Sequence, residues 1–324
     1  MTKYLRASCL LAATCLAPAH ALFASPAAVY TGAEVVAYEP GTGVSSSLTA
    51  PEAAVGLPSA SSGTGPSDGN FSPFNPHYRP GEIVQVGAGG NLTVRLERFV
   101  RVTPQQRHLG VWENIFLVAA SGGVVGNPPS VFGADSAIVE VSANGTDFVS
   151  LGPVNFSAFG NYWADSLGPY SKTPGTLRAD FGRPLTGDLA SLGGATYAEV
   201  LGFLDGTAGG TWIDLSPSGL DRVGWVRFSG VAAGMTLEID AVTINTALAG
   251  EPTLVPRLLV LDPARPGHLV LDRSLPHARY QLEVSDNLAL GWRKHGEAKF
   301  GTGAELDFTD HESPPRRFYR VVLP

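Results

Sequence analysis

Short runs of β-branched and aromatic residues, each ended by glycine, proline, asparagine or aspartate, recur along this chain from Ala33 onward. The 39 glycines and 25 prolines among 324 residues leave little room for long helices. Within the runs, apolar and polar residues alternate, as in the segment LTVRLE at 92–97. Such alternation places one set of side chains in a core and the other in water, so the pattern predicts an all-β fold of facing sheets.

The predicted strands share a β-rich run that stops at a turn residue. In the large unit they are Ile83 to Val86, Leu92 to Leu96, Ile115 to Ala119, Ala137 to Ser142, Phe148 to Leu151, Val223 to Phe228 and Leu237 to Ile244. In the tail they are Leu258 to Leu261, His268 to Leu271, Tyr280 to Ser285, Trp292 to His295, Glu305 to Phe308 and Phe318 to Val322. Trp225 and Trp292 lie on these strands, so both are expected in the core.

Local chemistry predicts two further features. Asn144-Gly145 separates two predicted strands and readily supplies the positive φ angles of a hairpin turn. Thr49 and Glu52 flank Pro51 in the pattern of a capping box, which predicts a short helix at 50–55.

Residues 1–21 have the three parts of a secretory signal. Lys3 and Arg6 stand near the start, an apolar stretch covers 10–17, and the small-residue ending AHA covers 19–21. We therefore expect export, to the extracellular space, the cell surface or the periplasm. The apolar stretch is shorter than the roughly 20 residues that a spanning helix needs, so no membrane span is expected.

The mature chain divides into two units by charge. Residues 22–257 contain 11 basic and 20 acidic side chains, whereas residues 258–324 contain nine of each. A large sandwich is therefore predicted at 22–245, a connector rich in alanine, glycine and proline at 246–257, and a small sandwich at 258–324. Both cysteines lie inside the leader, so the mature chain is stabilised by burial without disulfides.

Six short motifs, taken together in this order, resemble a family of exported bacterial cell-surface proteins that carry sorting signals. They are VVAYEPG (35–41), AAVGLP (53–58), GAGGNLT (87–93), EVSANG (140–145), AGG (208–210) and EIDAV (238–242). The resemblance implies a jelly-roll sandwich similar to galactose-binding and discoidin-like domains. The chain departs from the family at His108, where an acidic residue is usual.

The tail resembles a module found at the end of exported proteins of planctomycete and verrucomicrobial type. The resemblance rests on YQLEVS (280–285), Trp292, GTG (301–303), Asp310 and RFYR (317–320). It implies a small sandwich similar to fibronectin type III and immunoglobulin domains.

Five oxygen-bearing residues at strand ends or beside glycine-rich turns form a candidate structural calcium site: Glu113, Asn114, Asp205, Asp214 and Asp240. Calcium prefers six to eight oxygens from carboxylates, amides and carbonyls. The alternative is that these residues cap turns and solvated strand ends.

Aromatic residues on predicted loops form a candidate sugar-binding platform, because a flat sugar face packs on an aromatic ring while nearby polar groups bind its hydroxyls. The candidates are Tyr162, Trp163 and Asp165, together with Phe74 and Tyr78 from the loop at 59–80. The alternative is that these rings fold down over the edge of the sandwich.

Known catalytic patterns are missing from the sequence. The mature histidines are scattered, and there is no GxSxG elbow or phosphate-binding loop. The net charge of −9 after leader removal disfavours nucleic acid as a partner. We therefore expect a secreted, monomeric, non-catalytic protein that binds a glycan or another surface polymer. A structural or adhesion component and a glycan-processing enzyme remain the alternatives.

Overall fold

The computed structural model describes residues 28–61 and 69–253, and, in the tail, 259–261, 265, 267–271, 274, 279–287, 290–301, 305–312 and 317–322. Within these residues the chain is an all-β sandwich protein, which confirms the prediction from the alternating pattern. The leader at 1–21 lies outside the described residues, so export stays a prediction. No helix in the described part is long and apolar enough to cross a membrane.

Strands make up most of the regular structure before the tail. They are β1 (Gly32–Glu39), β2 (Val84–Gly87), β3 (Asn91–Arg101), β4 (Leu109–Glu113), β5 (Phe116–Leu117), β6 (Ala119–Ser121), β7 (Val124–Val125), β8 (Val131–Phe132), β9 (Asp135–Ser142), β10 (Val149–Phe156), β11 (Thr211–Ile213), β12 (Arg222–Ser229), β13 (Thr236–Ile244) and β14 (Ala249–Pro252). One α-helix, α1, covers Tyr197–Leu204, and short 3-10 helices cover Pro51–Ala54, Leu189–Leu192, Ser216–Ser218 and Thr246–Leu248.

Two antiparallel sheets form the large sandwich. The first has the order β1-β3-β12-β9-β10, with β14 also paired to β3. The second has the order β11-β4-β13-β2. The pairs β5-β8 and β6-β7 form two small separate sheets. Strands distant in sequence, such as β2 and β13, therefore become neighbours.

The main core lies between these two sheets. Leu92, Leu96 and Val139 come from the first sheet, and Val111 and Ile239 from the second, all at most 1% exposed. The alternation at 92–97 thus correctly identifies the core-facing residues. Complete burial of one such side chain contributes roughly 1.5–3 kcal/mol.

The other face of β3 is not in water as the alternation predicted. Arg95 is only 6% exposed, and Thr93 is 4% exposed. The guanidinium of Arg95 donates to Oε2 of Glu34 (3.1 Å) and to Oγ1 of Thr253 (2.9 Å). The prediction was wrong here because the sequence pattern did not reveal that the chain after β13 returns to cover this face.

The predicted capping box at Thr49 is also wrong. The segment Pro51–Ala54 is a 3-10 helix without a side-chain cap, and Oγ1 of Thr49 donates to the carbonyl of Ser46 (3.2 Å). The true capping box lies at α1, which was not predicted. There Oγ1 of Thr196 accepts from the backbone N–H of Glu199, whose carboxylate accepts from the N–H of Thr196.

The predicted strand at 115–119 is divided between β5 and β6, because Ile115 and Val118 leave the ladder. The Asn144-Gly145 turn is confirmed between β9 and β10. Gly145 has a φ of 81°, and Oδ1 of Asn144 accepts from the backbone N–H of Thr146 (2.9 Å).

Neither tryptophan that was predicted in the core is fully buried. Trp225 is half-buried, with its ring edge against Phe99 (5.9 Å between centroids). Trp292 is half-buried beneath the guanidinium of Arg320, 4.6 Å from its ring centroid. Both predictions were wrong, because a strand position alone does not tell which face of the sheet is covered.

The described part of the predicted connector packs on the large sandwich. It contains the 3-10 helix Thr246–Leu248 and β14, which is antiparallel to β3. Residues 254–257 lie outside the described residues.

The tail contains two further antiparallel sheets. Its strands are β15 (Leu259–Leu261), β16 (His268–Leu271), β17 (Arg279–Ser285), β18 (Arg293–Lys294), β19 (Lys299–Phe300), β20 (Leu306–Thr309) and β21 (Phe318–Val322). One sheet has the order β15-β16-β20; in the other, β17 pairs with β18, β19 and β21. Leu271, Leu282, Val284 and Phe308 form its core, joined by Ala33 of β1.

Candidate functional site

A cleft of about 440 Å³ with a mixed polar and apolar lining lies beside the end of α1. Residues 105–107, before β4, line one part, and residues 183–186 line another. Phe203, Asp205 and Asn245 also line the cleft. The cleft therefore combines guanidinium, amide, carboxylate and aromatic groups.

Two residues of this cleft have an unusual backbone conformation. Gln105 (φ 59°) and Asp205 (φ 47°) are the only non-glycine residues with positive φ in the described part of the chain. Asp205 ends α1, and its N–H donates to the carbonyls of Leu201 and Gly202. Left-handed non-glycine residues are uncommon, and such strain clusters at functional sites. Their shared location singles out this cleft among the surfaces of the large sandwich.

Arg183 and Asp205 form an ion pair at the edge of the cleft. Nη1 of Arg183 lies 3.2 Å from Oδ2 of Asp205, and Nη2 donates to the backbone carbonyl of Asp205. The Arg183 side chain is 47% exposed and that of Asp205 84% exposed. Nε of Arg183 also lies 3.9 Å from Oδ2 of Asp180, and both members of the Arg183–Asp205 pair remain partly open to solvent.

His108 supports the loop at 103–108. The buried ring lies 3.1 Å from the backbone N of Thr103 and 3.0 Å from that of Leu215. Burial lowers the pKa of His108, which favours the neutral ring, and a neutral ring accepts one of these N–H groups at a time. Asn245 adds a bond from Nδ2 to the carbonyl of Arg107 (2.7 Å). These contacts tie one side of the cleft to the second sheet.

The structure brings only Glu113 and Asn114 together among the five predicted calcium ligands. Asp205 lies at the cleft. Oδ1 of Asp214 accepts from the backbone N–H of Ser216 (2.8 Å) and lies 3.4 Å from Nδ1 of His108.

Asp240, the fifth predicted ligand, is buried against His77. Nδ1 of His77 lies 2.6 Å from Oδ2 of Asp240, and the backbone N–H of Ser59 donates to Oδ1 (3.3 Å). Phe71 packs on the histidine ring at 4.0 Å between centroids. Burial raises the pKa of Asp240, against the opposing effect of His77. Both oxygens of Asp240 thus face groups of the loop before β2.

Glu113 instead lies among acidic residues, two of which, Asp135 and Glu238, were not predicted as site residues. Its side chain is only 3% exposed, and neither carboxylate oxygen accepts a hydrogen bond. Burial, together with the negative charges of Asp135 and Glu238, raises its pKa well above the ordinary value. Burial and Glu238 likewise raise the pKa of Asp135 to about 7. Sequence analysis singled out Glu113 but did not associate it with Asp135 or Glu238, because their arrangement depends on the pairing of strands that are distant in sequence.

The predicted sugar platform is dispersed. Phe74 is 4% exposed in an apolar cluster with residues of α1, whereas Tyr78 is 39% exposed beneath the guanidinium of Arg79. Tyr162 and Trp163 do lie together, edge to face at 4.8 Å.

Both rings of that pair are half-buried, and Tyr162 also packs on Phe181 (5.4 Å). Asp165 accepts hydrogen bonds from the backbone N–H groups of Thr176 (2.8 Å) and Leu177 (2.9 Å). Tyr162, Trp163 and Asp165 therefore have structural partners, and their binding role stays a prediction.

A tight group of ionisable side chains lies in the tail. Ligand atoms of His295, Asp310 and Glu312 lie within 4.8 Å of one another. Nη1 of Arg317 is 2.9 Å from Asp310 and 2.8 Å from Glu312. Since a guanidinium already balances these carboxylates, the group forms a salt-bridge network.

Comparison with known proteins found no family model that matches the chain and no similar curated protein.

Proposed function

We propose that the protein is exported and binds a glycan, without catalysis, in the cleft beside α1. The observation that carries this proposal is the exposed Arg183–Asp205 pair at the cleft. Sugar hydroxyls donate to carboxylates and accept from guanidinium groups, and charge-assisted bonds of this kind are the stronger ones. Residues 1–21, which have the pattern of a secretory signal, support export.

The remaining surface of the cleft fits the same ligand class. Phe203 is half-buried and offers an apolar ring, which suits the apolar face of a pyranose. Gln106, whose side chain is exposed, adds an amide group that both donates and accepts. The cleft volume of about 440 Å³ falls within the range of small-ligand sites. A small oligosaccharide segment is therefore the ligand that we propose.

A glycan array, followed by calorimetry on the strongest hit, tests this proposal with a chain that begins at residue 22. Asp205→Asn removes the acceptor charge while asparagine tolerates the left-handed backbone, so the variant should fold and bind at least tenfold more weakly. Phe203→Ala should weaken binding in the same assay. Glu52→Gln, which changes an exposed carboxylate on the 3-10 helix at 51–54, is the matched control. Equal binding by Asp205→Asn and the parent chain would refute the proposal, as would silence of the parent on the whole array.

A further inference from the structure

A second cleft lies next to the proposed glycan cleft. Its volume is about 380 Å³, and its lining includes Ser191, Gly194, Glu199 and Phe203. Phe203 also lines the glycan cleft, so the two clefts meet at this aromatic ring. Each volume falls within the range of small-ligand sites. The two clefts therefore form one groove that continues past Phe203.

Helix α1 sets the direction of this groove. Val200 and Leu204 are buried, whereas Glu199 is exposed and Phe203 is half-buried. Residues four positions apart lie on one face of a helix, about 6 Å apart along its axis, so Glu199 and Phe203 are neighbours. Asp205 follows at the end of the helix. The groove thus runs along α1, from Glu199 in the second cleft, past Phe203, to Asp205 in the first.

Both the shared ring and the wall of the second cleft are held in place. A Cβ atom at Gly187 would clash with the ring of Phe203, so the ring packs directly on the backbone there. In the wall, the N–H of Val125 donates to the carbonyl of Ala195 (2.9 Å), and the N–H of Ala195 donates to the carbonyl of Leu192 (2.9 Å). These contacts form the groove without a ligand, which lowers the entropic cost of binding an extended one.

Glu199 supplies a carboxylate to the second cleft. Its Oε2 accepts hydrogen bonds from the backbone N–H and from the hydroxyl of Thr196, both at 2.8 Å. These bonds from Thr196 lower the pKa of Glu199, so its carboxylate is ionised at neutral pH. The capping box thus orients a charged acceptor, and a carboxylate has room for further bonds from sugar hydroxyls.

The charge of the second cleft restricts the class of sugar. Among the described residues that line it, Glu199 is the one charged side chain. A uronic acid or a sulfated sugar would meet this carboxylate without a compensating cation, whereas the hydroxyls of a neutral sugar donate to it. Gly194 leaves space for such a sugar, since an added Cβ there would meet no heavy atom within 4 Å.

We propose that the ligand is a neutral, linear polysaccharide that lies along α1 and occupies both clefts. One sugar unit packs on Phe203, and the units beyond it donate hydroxyl hydrogen bonds to Glu199. This inference rests on the proposed function, because it extends the same binding site. Contacts in the second cleft are added after the chain is already held in the first, so a longer chain binds more tightly than a disaccharide that fits within one cleft.

Calorimetry with neutral oligosaccharides of increasing length tests the inference on the chain that begins at residue 22. The series has the linkage of the strongest neutral hit on the glycan array. The hexasaccharide should bind at least tenfold more tightly than the disaccharide, because it adds charge-assisted hydrogen bonds.

Two results of this titration would overturn the inference while the proposed function stands. One is equal affinity at every length, and the other is tighter binding of uronate oligosaccharides than of the neutral series. Absence of binding at every length would instead refute the proposed function itself, and this inference with it.

Glu199→Gln isolates the second cleft. Glutamine also forms a capping box, so α1 should stay folded, which thermal unfolding checks. The tenfold ratio between hexasaccharide and disaccharide affinity should fall to about threefold, since neutral hydrogen bonds are roughly half as strong as charge-assisted ones. Glu52→Gln, the matched control, should keep the ratio of the parent. An unchanged ratio in Glu199→Gln would place the additional contacts elsewhere and overturn the inference.

Discussion

Nδ1 of His77 lies 2.6 Å from Oδ2 of Asp240, and the two side chains are 0% and 1% exposed. His77 belongs to the loop before β2, whereas Asp240 is in β13 of the second sheet. Their contact therefore joins an irregular segment to the most central ladder of that sheet. Breaking one half of a buried polar pair leaves the other half without its partner, which is more costly than losing an exposed contact.

Asp240→Asn and His77→Gln should each lower the free energy of unfolding by about 1–3 kcal/mol. Urea denaturation measures this loss. The double variant should lose clearly less than the sum of the two, because both substitutions disrupt one contact. Strictly additive losses would show that the two side chains act independently.

Glu140 should contribute to stability in a pH-dependent way. It is directly opposite Arg227 in the β9–β12 ladder, with Nε of Arg227 at 2.7 Å from Oε2 and Nη2 at 3.0 Å from Oε1. The Arg227 hydrogen bonds hold the pKa of Glu140 below its ordinary value of 4.5. Its stabilisation is thus complete above that value and is lost as the pH falls through the folded-state pKa.

Glu140→Gln should therefore cost about 1 kcal/mol at pH 7 and less at pH 3. Denaturation at a series of pH values measures this difference, with Glu52→Gln as the control that keeps the slope of the parent. An equal cost of Glu140→Gln at both pH values would contradict the prediction.

Gln105→Gly should stabilise the large sandwich. Gln105 has a φ of 59°, and the left-handed conformation costs a side-chain-bearing residue roughly 1–2 kcal/mol, which glycine avoids. The neighbouring Gln106 does not have a positive φ, so Gln106→Gly should instead destabilise by about 0.5–1 kcal/mol. Thermal unfolding compares the two variants, and shifts of the same sign would contradict the expectation.

Thr196→Ala should destabilise by about 1 kcal/mol, because it removes the side-chain cap of α1. Thr49→Ala is its matched control, since Thr49 caps no helix and should cost only a few tenths of a kcal/mol. Chemical denaturation of both variants measures the difference, and equal costs would show that the capping box at Thr196 contributes no more than an ordinary surface contact.

The local sequence pattern predicted the structure correctly where the residues that a side chain contacts are also close to it in sequence. The alternation at 92–97 identified Leu92 and Leu96 as core residues, and Asn144-Gly145 marked a real turn. It was insufficient for Thr49, whose segment resembles a capping box but makes no cap. A capping-box pattern is short enough to occur by chance, and only the backbone geometry decides whether its hydrogen bonds form.

The amino-acid sequence by itself determined the all-β class, because the period of apolar residues is a property of consecutive positions. Tertiary structure alone decided that Arg95 is buried, since β14 and Thr253 return to the sheet more than 150 positions later. It also decided that Glu113 is buried within reach of the negative charges of Asp135 and Glu238, which raise its pKa, and that Gln105 and Asp205 line one cleft. Strand pairing between distant segments brings these groups together, and burial and charge act through distance in space.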